Sequence, residues 1–300
     1  MFSMAVITSA LELGCIYALV ALALFLSFRV LNIADMTTDG AFTLGCAVSA
    51  TVALAGHPVL ALPMAMLAGA AAGFVTAMLQ TKWGVPSILA GIITNTGLYT
   101  INLAVMGFSS NVNLMKVDTI FTLCRDFLGD SYKLVIAAVI TILACVLMVL
   151  FLKTRLGLSI RATGDNPEMV RASSINTAFT VTVGLCISNS LTALSGAVLA
   201  QYQRTADINL GTGMVVIGLA SLIIGETVFR KGAMWLKIMG VLVGSIVYRF
   251  VIAVALRLDL PSECLKLISA IIVGIAIALP TIRSAMRLNQ QKRQAMKEQE

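Results

Sequence analysis

The chain has 300 residues, of which 59% are hydrophobic and only 12% are charged, and its mean hydropathy is +0.96. Soluble domains carry about 25% charged residues, so this composition weighs against a soluble domain and indicates a polytopic membrane protein of all-α fold. The apolar runs are continuous rather than alternating, which favours spanning helices over a transmembrane barrel.

The net charge of +7 does not indicate a nucleic-acid partner. The basic residues lie between apolar runs and in the segment 283–300, as expected of the cytoplasmic loops of a membrane protein. The single histidine and six scattered cysteines predict no disulfide framework and no metal site; the cysteines are Cys15, Cys46, Cys124, Cys145, Cys186 and Cys264. The sequence has no GxxxxGK[ST] phosphate loop, so we expect this chain to bind no cofactor and to be no enzyme.

A helix needs about 20 apolar residues to cross the hydrocarbon core of a bilayer. Nine segments are candidates: 4–28, 36–56, 59–80, 86–107, 132–152, 176–201, 213–229, 234–256 and 264–282. With the N-terminus outside, fourteen Lys and Arg residues fall on the inner side and seven on the outer side. This bias predicts an N-out, C-in bundle of about 8–10 spans. The transmembrane domain is expected over 1–282, followed by a basic cytoplasmic tail over 283–300.

Two of these segments are short. The segment 36–56 opens with N-cap chemistry at Thr37, Thr38 and Asp39, and its apolar part of sixteen residues from Ala41 to Gly56 spans only about 24 Å as a helix. Either the helix starts inside the membrane beside a cavity, or it starts late after a loop at the interface. The segment 213–229 is equally short, and it predicts either a re-entrant hairpin or a full span.

Between two of the long segments lies a polar island, Ser159 to Asn176, with the sequence SIRATGDNPEMVRASSIN. Asp165 or Asn166 can cap a short helix that has Pro167 in its first turn and Glu168 near its N-terminus. Such a helix, running to about Ser174, fits a docking surface in the cytoplasm. The alternative is a capped loop helix with no partner.

Polar residues also lie inside the apolar segments, where they are costly and therefore candidates for function. Our candidates for a translocation pathway are Glu12, Asp39, Asn95, Asn102 and Asn189. Asn95 and Asn102 are seven residues apart and share a helix face. The competing interpretation is hydrogen bonding between helices for the amides. For the two acids it is proximity to water or to a helix N-terminus.

The island resembles the cytoplasmic coupling segment of ABC importer permeases, in particular the branched-chain amino acid permease family and its less characterised relatives assigned to tryptophan or other amino-acid-like substrates. The stretch LNIADMTTDGAFTLG, beginning at Leu31, is similar to the family's N-F-A-(H/Q)-G region. The stretch LSGAVLAQY, beginning at Leu194, is similar to its small-residue helix end. The resemblance covers about 10 to 282. The turn GETVFRKGAMW departs from the family's G-G-x-G-x-x-x-G turn, which puts a close analogy with branched-chain substrates in doubt.

The resemblance implies a permease subunit in the bacterial inner membrane that takes up a small polar metabolite of the amino acid class, that is, an amino acid or an amino-acid-like compound. Its implied partners are a separate ATPase carrying ATP and Mg²⁺, an extracytoplasmic substrate-binding protein, a second and identical permease copy, and membrane lipid. The residues it assigns to the ATPase interface are Arg161, Gly164, Asp165, Asn166, Pro167, Glu168, Arg171 and Ala172. A secondary transporter driven by Na⁺ or H⁺ is the alternative, although it often shows an inverted repeat and none is evident.

Overall fold

The computed structural model describes residues 4–125, 129–229 and 233–256, together with Gly274. Its elements are α1 (Met4–Leu24, continued by a π-helical turn Phe25–Val30), α2 (Thr38–Leu54), α3 (Ala61–Thr81), α4 (Ser87–Val105), β1 (Asn111–Asn113), α5 (Ile120–Leu123), a 3₁₀ turn (Gly129–Ser131), α6 (Tyr132–Lys153), α7 (Arg155–Asp165), α8 (Pro167–Ala172), α9 (Thr177–Gln203), β2 (Thr205–Asp207), α10 (Met214–Val228) and α11 (Met234–Leu256).

The described part of the chain confirms the predicted all-α polytopic bundle. Six of its helices are long and apolar enough to cross a membrane, namely α1, α3, α4, α6, α9 and α11. The two segments singled out as short are the two shorter apolar helices, α2 and α10. The ninth candidate, 264–282, and the tail 283–300 lie outside the described residues, so the domain boundary between them stays a prediction.

Helix α9 forms the centre of the bundle, where it contacts α1, α2 and α3. Close approach depends on small residues: a Cβ on Gly69 of α3 would collide with the backbone of Asn189, and one on Gly73 would collide with that of Leu185. Helix α1 is apolar on all sides and is buried over most of its length, which is expected of a core helix.

The two ends of the bundle differ in character. At one end, here called the strand end, β1 pairs antiparallel with β2, with Val112 opposite Ala206. At the other, here called the basic end, α7 and α8 pack near the end of α1 and the start of α9. Lys82, the C-cap of α3, and Lys153, the last residue of α6, lie at this same end. The prediction that the basic end is cytoplasmic rests on the charge bias.

Candidate functional site

A polar pocket of about 290 Å³ opens between the start of α2, the middle of α4 and the loop that precedes α10. Hydroxyl, amide, carboxylate and backbone groups form a large part of its wall beside apolar carbon surface, so it suits a solute that has both polar and apolar parts. The lining residues are Asp39, Gly40, Thr43, Asn95, Thr96, Tyr99, Asn102, Ile208, Asn209, Gly211 and Thr212.

Helix α4 contributes one polar face to this pocket. Asn95, Tyr99 and Asn102 follow one another at intervals of four and three residues, which places them on one side of a helix. Asn102 is buried, with 1% of its surface exposed. Its Nδ2 donates to the Gly40 carbonyl at 3.2 Å, whereas its Oδ1 has no hydrogen-bond partner within the described residues. A buried amide oxygen without a partner is unfavourable, so a hydrogen-bond donor that reached this atom, from a solute or from water, would be stabilised.

The start of α2 is held inside the bundle. The loop before it is buried at Asp35 and Thr37. The Asp35 carboxylate accepts from the Thr37 backbone N–H at 2.9 Å and from Asn189 Nδ2 at 2.7 Å. Thr37 Oγ1 lies 2.8 Å from Thr76 Oγ1 of α3. Of the two interpretations of the short second segment, the one that agrees with the structure is a helix that begins inside the bundle beside a cavity.

Asp39 joins the N-termini of the two short helices. It lies in the first turn of α2, and its carboxylate accepts from the backbone N–H of Gly213 at 2.9 Å and of Val215 at 3.0 Å, at the start of α10. Helix N-termini carry partial positive charge and favour anions, which explains why a carboxylate is stable here. Two helix N-termini therefore converge at the wall of one pocket.

The five candidate pathway residues separate into two groups. Asp39, Asn95 and Asn102 come together in the pocket. Glu12 lies toward the strand end, where its Oε2 accepts from the Tyr202 hydroxyl at 2.7 Å. Asn189 is buried in α9 against Asp35. Neither of these two lines the pocket, and their hydrogen bonds connect α1 to α9 and α9 to the loop before α2.

The predicted ATPase-coupling residues lie on two helices at the basic end. Asn166 caps α8, since its Oδ1 accepts from the Met169 backbone N–H at 3.1 Å, and Pro167 is the first residue of α8. Gly164, near the end of α7, has no room for a Cβ because the Val30 carbonyl lies against it. The other assigned residues are exposed to solvent: Arg161, Asp165, Glu168, Arg171 and Ala172. The sequence left open which residue caps the short helix, and the structure shows that it is Asn166.

Other residues of the site were not singled out from the sequence. Tyr99 lines the pocket, and its spacing from Asn95 and Asn102 is a helical signal that could have revealed it. Asn209 and Thr212 lie in a loop far away in the sequence, so no local pattern connects them to α4. The described residues contain no group of three or more His, Cys, Asp or Glu side chains that could hold a metal ion.

The fold and the pocket define a multi-pass helical membrane protein with a polar cavity inside its bundle. Residues 6–277 match the family model described as branched-chain amino acid transport system / permease component. The chain belongs to this family of ABC-transporter permease subunits, which are membrane components and not enzymes. It is therefore a multi-pass protein of the inner membrane, with an ATP-binding subunit and a substrate-binding protein as its implied partners.

Several relatives cover nearly the whole chain. The tyrosine transport system permease protein of Clostridioides difficile (strain R20291) is 36% identical over 282 residues, which is 94% of this chain and 93% of the relative. An uncharacterised protein of Rickettsia prowazekii (strain Madrid E) is 30% identical over 281 residues, covering 92% of this chain and 98% of the relative. A ribose import permease protein of Haemophilus influenzae is 23% identical, covering 92% and 85%. No solved structure gives a significant match.

Proposed function

We propose that the chain forms the translocation pathway of an ABC importer for an amino acid or an amino-acid-like compound, and that the solute passes through the pocket around Asp39 and Asn102. The observation that carries this proposal is the convergence of two helix N-termini and an unpartnered amide oxygen at one cavity. A zwitterion has matching groups: its ammonium suits Asp39 and the Asn102 Oδ1, and its carboxylate suits the hydroxyl and amide donors of the pocket wall, beside the positive ends of the two helices. The name of the Clostridioides difficile relative supports the same class of substrate.

A second copy of the chain would complete the pathway. Helix α4 is long and apolar enough to cross a membrane, yet Tyr99 on its polar face is 54% exposed and the neighbouring Thr96 and Thr100 are exposed as well. Polar side chains are unfavourable against lipid and normally face protein or water. In the proposed dimer, the polar faces of the two α4 helices line a shared pathway.

The ATPase would act through the basic end. Helix α7 touches the turn at the end of α1 through Gly164 and Val30, and the Thr163 and Thr180 hydroxyls lie 2.8 Å apart between α7 and α9. A shift of α7 would therefore reach both α9 and the loop that positions α2. This packed connection lets the docking surface alter the pocket without contacting the solute.

The test is uptake by cells that carry or lack this chain, with radiolabelled tyrosine, leucine and ribose as the panel. We expect uptake of an amino acid to be lost without the chain and restored by it. If only ribose uptake is lost without the chain, the transported solute is a sugar and not an amino acid. The similarity to a ribose import permease makes a sugar the alternative to test.

A second arm of the same experiment tests the energy source. Uptake should continue when ion gradients are dissipated and ATP is maintained, and it should stop when ATP is depleted. Uptake that follows the Na⁺ or H⁺ gradient instead would contradict the ATP-driven mechanism and support the secondary transporter.

A further inference from the structure

A second cavity, separate from the polar pocket, opens at the basic end. It has a volume of about 280 Å³ and lies between the π-helical turn of α1, helix α7 and the first turns of α11. Its lining residues are Phe25, Arg29, Val30, Arg161, Asp165, Met234 and Lys237. Three basic side chains and one carboxylate thus face one cavity, here called the basic cavity.

Two carboxylates lie near the three cations, Asp165 in the cavity wall and Glu226 beside Arg29, so the described residues leave an excess of one positive charge. Arg29 donates through Nε to Glu226 Oε1 at 2.7 Å, which leaves the terminal nitrogens of its guanidinium free to bind another anion. Arg161 and Lys237 form no ion pair with any described carboxylate, Asp165 included. Cations that converge from three separate elements with a positive charge in excess are suited to binding a phosphate group.

The wall of the basic cavity is mostly polar. Phe25 and Val30 are buried and add little surface to it. A polar wall of this kind suits a phosphate group, whether free or part of a lipid headgroup, so the position of the cavity decides between the two. The volume is that of roughly nine water molecules in the liquid, enough for a headgroup.

The position of the basic cavity is that of lipid headgroups. The chain has two tryptophans, Trp83 and Trp235, which are 66% and 51% exposed. Each lies close in sequence to a lysine at the basic end, Lys82 and Lys237 respectively. Exposed tryptophans typically mark the membrane–water interface, and Trp235 follows directly on Met234 of the cavity wall.

We propose that the basic cavity binds the phosphate of an anionic phospholipid, with Arg161 and Lys237 as the main contacts and Arg29 beside them. Basic pockets between helices at the membrane surface are suited to such headgroups. Because Arg161 belongs to α7, the bound lipid connects this helix to α1 and α11. This proposal concerns a site apart from the solute pathway and does not depend on the class of transported substrate.

The test is native mass spectrometry of the full chain in mild detergent, titrated with phosphatidylglycerol or phosphatidylcholine. Phosphatidylglycerol should bind more tightly, and the double variant Arg161→Gln/Lys237→Gln should weaken it about 25-fold, at about five-fold for each charge removed near a headgroup. Lys82→Gln is the matched control, since it removes a charge at the same end outside the basic cavity. Lys237→Arg keeps the charge and should keep the binding.

Each outcome bears on the proposal. Equal phosphatidylglycerol binding by the double variant, Lys82→Gln and the original chain would overturn it. In a further arm, inorganic phosphate replaces the lipids. If its binding depends on Arg161 and Lys237 while phosphatidylglycerol and phosphatidylcholine bind equally well, the cavity binds soluble phosphate. The lipid assignment is then wrong. If the double variant is not monodisperse, Lys237→Gln alone carries the test, with a five-fold expected loss.

Discussion

The side chain of Asn102 has one end fixed and one end free. Its Nδ2 holds the Gly40 carbonyl of α2, and its buried Oδ1 is without a partner among the described residues. At the scale of the single residue this amide is the strongest candidate for direct contact with a solute. The neighbouring Asn95 reaches the pocket only because α2 has a glycine at position 40: a Cβ there would stand 2.5 Å from Asn95 Oδ1.

We predict that Asn102→Leu raises the KM for uptake about tenfold. The change keeps the branched shape of the side chain but removes the proposed hydrogen bond to the solute, which contributes about 1 kcal/mol or slightly more. It also removes the bond to the Gly40 carbonyl, so the folding of the variant is checked by thermal unfolding. The measurement is the concentration dependence of uptake in cells. Ile92→Leu serves as the control, because Ile92 is an exposed apolar residue of the same helix that does not line the pocket. An unchanged KM in Asn102→Leu would mean that Asn102 does not contact the solute.

A second prediction compares two glycines. In Gly40→Ala the new methyl group collides with Asn95 and Leu98 of α4, and overpacking of this kind costs about 1–3 kcal/mol. In Gly97→Ala the methyl group meets nothing within 4 Å, and alanine is the better helix former. We therefore expect thermal unfolding in detergent to show a Tm lowered by several degrees for Gly40→Ala and not lowered for Gly97→Ala. Equal Tm values would mean that α2 and α4 separate easily.

At the scale of elements, the helices could be predicted from the sequence, but the contacts between them could not. Apolar run length is a local property, so the spans and the two short segments could be located from the sequence. Asp39 contacts two residues at the start of α10 that lie 174 and 176 positions further along the chain. No periodicity in the sequence can reveal a contact over so long a separation. The sequence offered proximity to water or to a helix N-terminus as an interpretation of Asp39, but it could not identify α10 as the helix.

The pathway candidates show the same limit. The polar residues of α4 share a face by helical spacing alone, and Asn95 and Asn102 do line the pocket. Asn189 has the same residue type and a similar apolar setting, yet it lies against Asp35. Only tertiary packing separates the two situations, because a buried amide that contacts a neighbouring helix and one that faces a cavity look alike in sequence.

Helix α8 has only six residues, so its order depends on its cap. We predict that Asn166→Ala raises the hydrogen-exchange rate of the α8 amides about five-fold, because an N-cap contributes about 1 kcal/mol. Asn166→Asp should retain slow exchange, since aspartate also accepts from the backbone N–H at this position. Asn176→Ala provides a matched control: Asn176 caps α9 by the same bond, to Phe179 N–H at 3.2 Å, so its effect should be confined to the first turn of α9.

At the scale of the whole molecule, the chain has two surfaces that a single copy leaves incomplete. The polar face of α4 is exposed within a spanning helix, and α8 presents an exposed Met169, 58% accessible, beside the ion pair of Glu168 and Arg171. Under the proposed function, the first surface contacts a second copy and the second contacts the ATPase. Both assignments follow from the same reasoning: polar groups at membrane depth and apolar groups in water are each unfavourable until they are covered.

Charge reversal on α8 tests the ATPase surface. Glu168 is highly exposed, with 84% of its side chain accessible, and its pair with Arg171 is 3.8 Å long, so this pair contributes little to the stability of the chain. We predict that Glu168→Arg leaves the chain folded but removes the ATPase that co-purifies with the tagged chain in mild detergent, measured as ATP hydrolysis in the eluate. Like charges brought together at an interface cost several kcal/mol, which is enough to lose a partner during washing.

The swapped variant Glu168→Arg/Arg171→Glu separates docking from a merely local effect. It restores an ion pair within α8 but presents the charges in the opposite order, so it should still lose the ATPase if the partner contacts these side chains. Recovery of the ATPase in the swapped variant would mean that α8 needs only its internal pair. Lys82→Glu reverses a charge at the same end of the bundle, outside α7 and α8, and should retain the ATPase; loss there as well would point to the general positive charge of the basic end rather than to α8.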